Sequence, residues 1–166
     1  QFCHNPDTWL PNQNLEINTS DLVDKIRKYR PYFEDSGGGV TFSGGEPLFQ
    51  SEFLADTLKL CKKAVINTCV DTSGTGYDKD YLEEIFKWTD LFLLDIKAIE
   101  PDKYQQMTGK SQDDFNYFVD ELNKHDKDIW LRQVIVPGIN DTEEYILKLK
   151  EYIKKFKNVK KIELLP

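Results

Sequence analysis

Positive charge is in short supply. Lys and Arg total 22 against 29 Asp and Glu, giving a formal net charge of -7. A nucleic-acid-binding surface needs clustered Lys and Arg to neutralise phosphates, so that class is excluded. The one basic run, Lys154-Lys155-Phe156-Lys157 to Lys160-Lys161, reads as a solvated helix end and the turn after it. The three cysteines have no framework spacing, which suits a reducing, cytoplasmic setting rather than a disulfide scaffold. No apolar stretch approaches the roughly 20 residues that a membrane-spanning helix needs. Histidine is limited to His4 and His125. No acid–base role is assigned to His4, and His125, near a predicted helix end, is expected on the surface. No repeat, low-complexity tract or change of composition divides the chain, so residues 1–166 are expected to form one domain and a monomer.

What is present is an alternation. Apolar, β-rich runs predict strands at Gly39–Ser43, Val65–Asp71, Leu91–Lys97, Ile129–Val136 and Lys161–Leu165. Between them lie stripes with helical spacing. Leu22, Val23, Ile26, Tyr29 and Phe33 form the first, and Phe53, Leu54, Leu58 and Cys61 the second. Three more follow, over Tyr81–Phe86, Phe115–Leu122 and Ile146–Phe156. Helix starts are predicted at Thr19 or Ser20, at Ser51, at Ser111 with Asp114, and at Asp141 with Glu144. Strands separated by single helices imply crossovers and a parallel sheet. The expected fold is α/β, a partial parallel (βα) barrel.

In such barrels chemistry sits at the carboxyl ends of the strands. Four predicted strands run out into polar strings there: Ser43-Gly44-Gly45-Glu46, Asp71-Thr72-Ser73-Gly74, Asp95-Ile96-Lys97 and Val136-Pro137-Gly138-Ile139-Asn140. A double glycine is an ordinary tight turn, or a place where main chain must approach a ligand. Glu46 is either an acceptor for a cation or a loop staple. Asp71 with Thr72 is either an Asx turn or part of a polar site. Asp95 and Lys97 share one face and either pair with each other or present a cation to an anionic ligand. Arg132 either faces the cavity or is anchored to a neighbouring carboxylate. Cys61 and Cys69 fall on an apolar stripe and inside a strand, and read as core thiols.

Cys3 beside His4 is weak evidence for metal alone. The longer string Phe2-Cys3-His4-Asn5-Pro6-Asp7-Thr8-Trp9, followed by Ser43-Gly44-Gly45-Glu46-Pro47, resembles the radical S-adenosylmethionine (SAM) enzymes that activate glycyl-radical enzymes, of the pyruvate formate-lyase type. The resemblance covers nearly the whole chain. It implies a [4Fe–4S] cluster held by thiolates, which are soft ligands for iron. Cys3 matches the last cysteine of the family's CxxxCxxC loop, so two further cysteines are expected to precede Gln1. By the same resemblance the chain is an internal piece of a longer protein, truncated at both ends and inactive alone.

The resemblance also implies that Phe2, Cys3, His4, Gly44, Gly45, Glu46, Asp71, Asp95, Ile96 and Lys97 bind SAM. Arg132 is expected to meet SAM or the substrate, and Asp71 with Asp95 to bind a monovalent cation. The implied activity is reductive cleavage of SAM that leaves a glycyl radical on pyruvate formate-lyase, with flavodoxin or ferredoxin as electron donor. Two alternatives stay open. One is activation of another glycyl-radical enzyme, although Leu10–Ser36 lacks the cysteines of an extra ferredoxin-like insert. The other is an aldolase-type barrel using Lys97 as a Schiff-base lysine.

Overall fold

The computed structural model describes residues 16–166. Phe2, Cys3 and His4, and with them the cluster string, lie outside the described residues. Five strands form one parallel sheet in sequential order: β1 (Gly39–Phe42), β2 (Asn67–Thr72), β3 (Leu91–Asp95), β4 (Asp128–Val134) and β5 (Val159–Leu165). Each strand pairs parallel with the next in the chain. Crossovers of one hand between sequential strands put every helix on the same side, the pattern of a barrel wall. Among the described residues β1 and β5 pair on one side only, so the barrel is open and partial.

The sheet is two-faced because side chains alternate. Val70, Phe92, Leu94, Ile129 and Leu131 point to one side and are fully buried. The helices cover that side: α3 (Ser51–Lys63), α4 (Lys79–Trp88), α6 (Asp113–Lys124) and α7 (Glu143–Ile153), with Leu58, Ile85, Phe86, Phe118 and Leu149 filling the core. A smaller cluster under α1 (Thr19–Arg27) joins Val23 and Ile26 to Cys61 and Ile66. The opposite face carries Cys69, Asp71, Leu91, Leu93, Asp95, Trp130 and Arg132 and is only half-buried. A cleft of about 580 Å³ lies on that face, towards the strand starts, against Thr41, Cys69, Leu91, Leu93 and Trp130.

Several expectations are corrected. The first apolar stripe is two helices, α1 and α2 (Arg30–Ser36), because Pro31 sits in the first turn of the second. A proline has no N–H to give to a continuing helix and restricts the residue before it. Strand β2 begins at Asn67, not Val65; Val65 adopts φ 60° as the chain leaves α3, and is 83% exposed. Strands β1 and β3 end at Phe42 and Asp95 rather than Ser43 and Lys97, β4 spans 128–134, and β5 starts two residues early, at Val159.

The caps also differ. Asn18 caps α1 by accepting from the Asp21 amide (2.9 Å), and Thr142, not Asp141, caps α7. Gln112 at the N-cap of α6 (Asp113–Lys124) makes no side-chain cap, while the Ser111 hydroxyl accepts from the Asp113 amide (3.2 Å). Ser51 opens α3, yet its hydroxyl donates to the Leu48 carbonyl and accepts from the Asp78 amide (2.9 Å) instead of capping. Helix α5 (Pro101–Thr108) was not predicted; its polar sequence buries one residue, Tyr104.

His125 is not a surface residue. Its ring stacks on Phe86 with centroids 5.1 Å apart and planes 13° from parallel. The Nε2 atom is buried with no hydrogen-bond partner among the described residues, 3.3 Å from a Glu83 oxygen.

Candidate active site

Three of the four predicted polar strings come together at the carboxyl ends of the strands. Asp71 and Asp95 lie near the ends of β2 and β3, and Arg132 pairs in register with Asp95 from β4. The Arg132 guanidinium donates Nε to Asp95 Oδ1 (2.9 Å) and a terminal nitrogen to Asp71 Oδ2 (3.1 Å), while its other terminal nitrogen meets Asp71 Oδ1. Lys97 Nζ donates to Asp95 Oδ2 (2.8 Å). Two carboxylates and two cations thus form a neutral, half-buried chain along the uncovered face. Burial alone would lower the Arg132 pKa, but both carboxylates outweigh it and hold the guanidinium above its ordinary value.

The guanidinium stands between the two carboxylates, where a monovalent cation between Asp71 and Asp95 was expected. The anchored reading of Arg132 and the mutual pairing of Asp95 with Lys97 are both realised. Ile96 departs from its expected role: its side chain is 3% exposed in the helix-side core. Only its main chain remains for a ligand, and its amide already donates to the Arg132 carbonyl (2.8 Å).

The double-glycine loop follows β1. Gly44 has φ 128°, a conformation that side chains rarely adopt, and both Gly44 and Gly45 are exposed. Among the described residues no atom lies within 4 Å of where a Cβ on Gly44 would stand. The open space and bare main chain suit close approach by a ligand. Glu46 then caps a 3-10 helix, Pro47–Gln50, by accepting from the Leu48 amide (3.2 Å). Its carboxylate also reaches β2's exit, accepting from the Thr72 hydroxyl (2.6 Å), the Ser73 amide (2.8 Å) and the Ser73 hydroxyl (2.6 Å). Burial pushes its pKa up despite these donors, which act the other way.

The fourth string forms a separate loop. Asn140 is buried, with its oxygen accepting from the Val136 amide (2.6 Å) and its nitrogen donating to the Val134 carbonyl (2.9 Å). Gly138 turns at φ 76°. These residues shape the exit of β4 and make no contact with the Asp71–Arg132–Asp95–Lys97 chain.

Sequence reasoning missed Ser73 as a partner of Glu46, and missed Trp130 and Glu163 on the same face as Arg132. Alternation along β4 and β5 was the available signal, since Arg132 pairs with Glu163 in register. It also gave no hint of Phe49, 64% exposed with its ring against Gly76. The cleft is lined by none of the predicted site residues, and its charged walls are already paired, Asp90 with Lys62 (2.7 Å) and Asp128 with Lys160 (3.3 Å).

The radical SAM superfamily model matches residues 1–153. The chain belongs to the radical SAM superfamily. It is 49% identical to a pyruvate formate-lyase-activating enzyme of Clostridium pasteurianum, over 99% of this chain and 68% of that one. A Staphylococcus epidermidis protein of the same name is 44% identical, with the same coverage. A crystallised domain of a pyruvate formate-lyase-activating enzyme from Bacteroides vulgatus superposes with a TM-score of 0.68 at 29% identity, over 78% of this chain and 80% of that one. Streptococcus suis SuiB shares the fold alone, with a TM-score of 0.70 at 17% identity, over 93% of this chain and 35% of that one.

Membership in the radical SAM superfamily implies SAM and a [4Fe–4S] cluster. The described residues fit the first. An exposed double glycine, two carboxylates and an ammonium are the right groups for a ligand that carries both an amine and a carboxylate. They do not fit the second. Cys61 is buried in the core, where its thiol is pushed up to about 11, and Cys69 is half-buried with its pKa raised by the same desolvation. Among the described residues no three His, Cys, Asp or Glu gather to hold a metal ion. The sequence string expected to hold the cluster, with Cys3, lies outside them.

Proposed function

We propose that this protein is an activating enzyme for pyruvate formate-lyase, acting through reductive cleavage of SAM at a [4Fe–4S] cluster. One observation carries the reading. Gly44–Gly45, Asp71, Asp95 and Lys97 come from three different strand ends, yet hydrogen bonds through Glu46 and Arg132 draw them together. The relatives named above supply the substrate: a protein with that printed name aligns over 99% of this chain at 49% identity.

When bound, the cluster and SAM supply the electron and the hydrogen-abstracting carbon radical. The residues described here do the remaining work. Gly44 and Gly45 offer main-chain acceptors to the SAM amine, and Asp71 adds negative charge beside it. Lys97 offers an ammonium to the SAM carboxylate. The half-buried face around them restricts water. Phe2 and His4, with Cys3, would complete the site from the cluster string. The glycine loop of pyruvate formate-lyase is the hydrogen donor, and flavodoxin or ferredoxin the reductant. A monomeric, single-domain, cytoplasmic protein fits these roles; among the described residues no helix is long and apolar enough to cross a membrane.

The test is anaerobic. The protein, expressed from its complete reading frame and reconstituted with iron and sulfide, is incubated with reductant, SAM and pyruvate formate-lyase. A glycyl doublet in the electron paramagnetic resonance spectrum is the expected result. A SAM-responsive cluster signal with no glycyl doublet would point to a different glycyl-radical enzyme. Loss of any SAM response in a fully loaded cluster would overturn the assignment.

A further inference from the structure

We infer that Glu46 is a positioning residue: its side chain locks the double-glycine loop to the exit of β2 and is not a ligand of the SAM amine. The inference rests on the reading of this site as a SAM site and specifies which of its acidic groups meet the ligand.

The argument is one of hydrogen-bonding capacity. An ionised carboxylate has about four lone-pair positions. Glu46 uses Oε1 for the Leu48 amide and the Thr72 hydroxyl, and Oε2 for the Ser73 amide and the Ser73 hydroxyl. All of its positions are filled by the protein itself. Asp71 differs. Among the described residues each of its oxygens accepts a single Arg132 nitrogen, which leaves about two positions open. The spare acceptor capacity for a cationic amine lies on Asp71, not on Glu46.

The donors on Glu46 are held in turn. The Thr72 hydroxyl oxygen accepts from the Gly74 amide (2.9 Å), and the Ser73 hydroxyl lies 3.2 Å from that of Thr75. Gly74 sits at φ 70° with Phe118, Leu94 and Phe115 within 3.1–3.3 Å of where a Cβ would stand, so the turn is seated on the core. Glu46 therefore ties an exposed loop to a rigid one. The anchored segment begins one residue after Asp71. Withdrawing the carboxylate frees both Gly44–Gly45 and the Asp71 main chain, and so lowers affinity for every part of the ligand rather than for the amine alone.

The test compares the full protein with Glu46→Gln and with the double variant Thr72→Val/Ser73→Ala. Two measurements are made: amide hydrogen exchange of residues 72–75 without ligand, and equilibrium binding of SAM and of its analogue lacking the α-amino group. Glu46→Gln is expected to speed exchange at the Ser73 amide at least about tenfold. It is also expected to weaken SAM and the analogue by the same factor, on the order of tenfold, leaving the preference for the amine intact. The double variant keeps the carboxylate but removes two donors, and should weaken both ligands in parallel as well. Loss of the amine preference in Glu46→Gln, with Ser73 exchange unchanged, overturns the inference. So does unchanged or tighter SAM binding by the double variant, which also decides the matter if Glu46→Gln does not fold. Failure of the unaltered, cluster-loaded protein to bind SAM would instead remove the functional reading on which the inference stands.

Discussion

Arg132 on β4 reaches across β3 and gives two N–H groups to the two carboxylate oxygens of Asp71 on β2. Strands β2 and β4 are not neighbours, so this contact braces the sheet where no backbone ladder runs. It also sets the charge of the site. Without the guanidinium, Asp71 would lose its one described cationic partner and Asp95 would keep only Lys97.

Arg132→Met is therefore expected to destabilise the fold by about 2 kcal/mol, below the roughly 3–5 kcal/mol of a fully buried pair because these side chains keep some solvent. Adding Asp71→Asn should recover part of that loss. Urea denaturation of both variants measures it, and strict additivity would show that the two residues are not coupled.

Lys97 is a different case. Its side chain is 39% exposed and its one described contact is with Asp95. A surface pair of this sort contributes at most about 1 kcal/mol. Lys97→Met should leave the unfolding midpoint nearly unchanged while weakening SAM binding about tenfold or more, since a charge-assisted contact is worth roughly 1.5–3 kcal/mol. Treatment with pyruvate and borohydride should leave Lys97 unmodified by mass spectrometry. A trapped adduct there would revive the aldolase-type alternative.

Val65 is a β-branched residue in a left-handed conformation, exposed and at the end of a helix. Such a backbone costs a non-glycine residue on the order of 1 kcal/mol. Val65→Gly is expected to stabilise the protein by about that amount, offset in part by unfolded-state entropy. Thermal denaturation reads the sign directly.

Lys155 lies against three rings, 3.9 Å from the centroid of Tyr152, 5.3 Å from Phe115 and 5.4 Å from Phe156. Burial lowers its pKa to about 8, with Asp120 opposing. The unfolded chain then binds more protons than the folded one above that value, so stability rises with pH from about 8. The rise ends near pH 10, where tyrosines of the unfolded chain ionise while buried Tyr104 and Tyr152 resist. Lys155→Met should flatten this segment of the stability–pH curve and raise stability at pH 7 by on the order of 1 kcal/mol. Denaturant midpoints at pH 7, 8, 9 and 9.5 check both.

The sheet was legible because its strands are short apolar runs separated by amphipathic stripes, and that pattern survives tertiary packing. Boundaries failed where a local rule overrode hydrophobicity. Val65 is apolar and β-branched, and periodicity alone could not show that the chain turns left-handed there. Pro31 was the visible signal for the break between α1 and α2, but the apolar spacing ran through it. Helix α5 was hidden because only Tyr104 needs burial.

In the site, the residues were legible and their partners were not. Nothing in the sequence says that Arg132 will bridge two aspartates, because that depends on register between strands far apart in the chain. Glu46 could be read as ligand or staple until the positions of Thr72 and Ser73 were known. Ile96 was included by its place between Asp95 and Lys97, and strand alternation sends it to the opposite face.

The stacking of His125 on Phe86 supplies a built-in reporter. Protons on an imidazole held nearly parallel to a benzene ring feel its circulating electrons and resonate upfield. With only two histidines in the chain, that signal will stand apart in a proton spectrum and will drift towards its random-coil frequency when α4 and α6 separate.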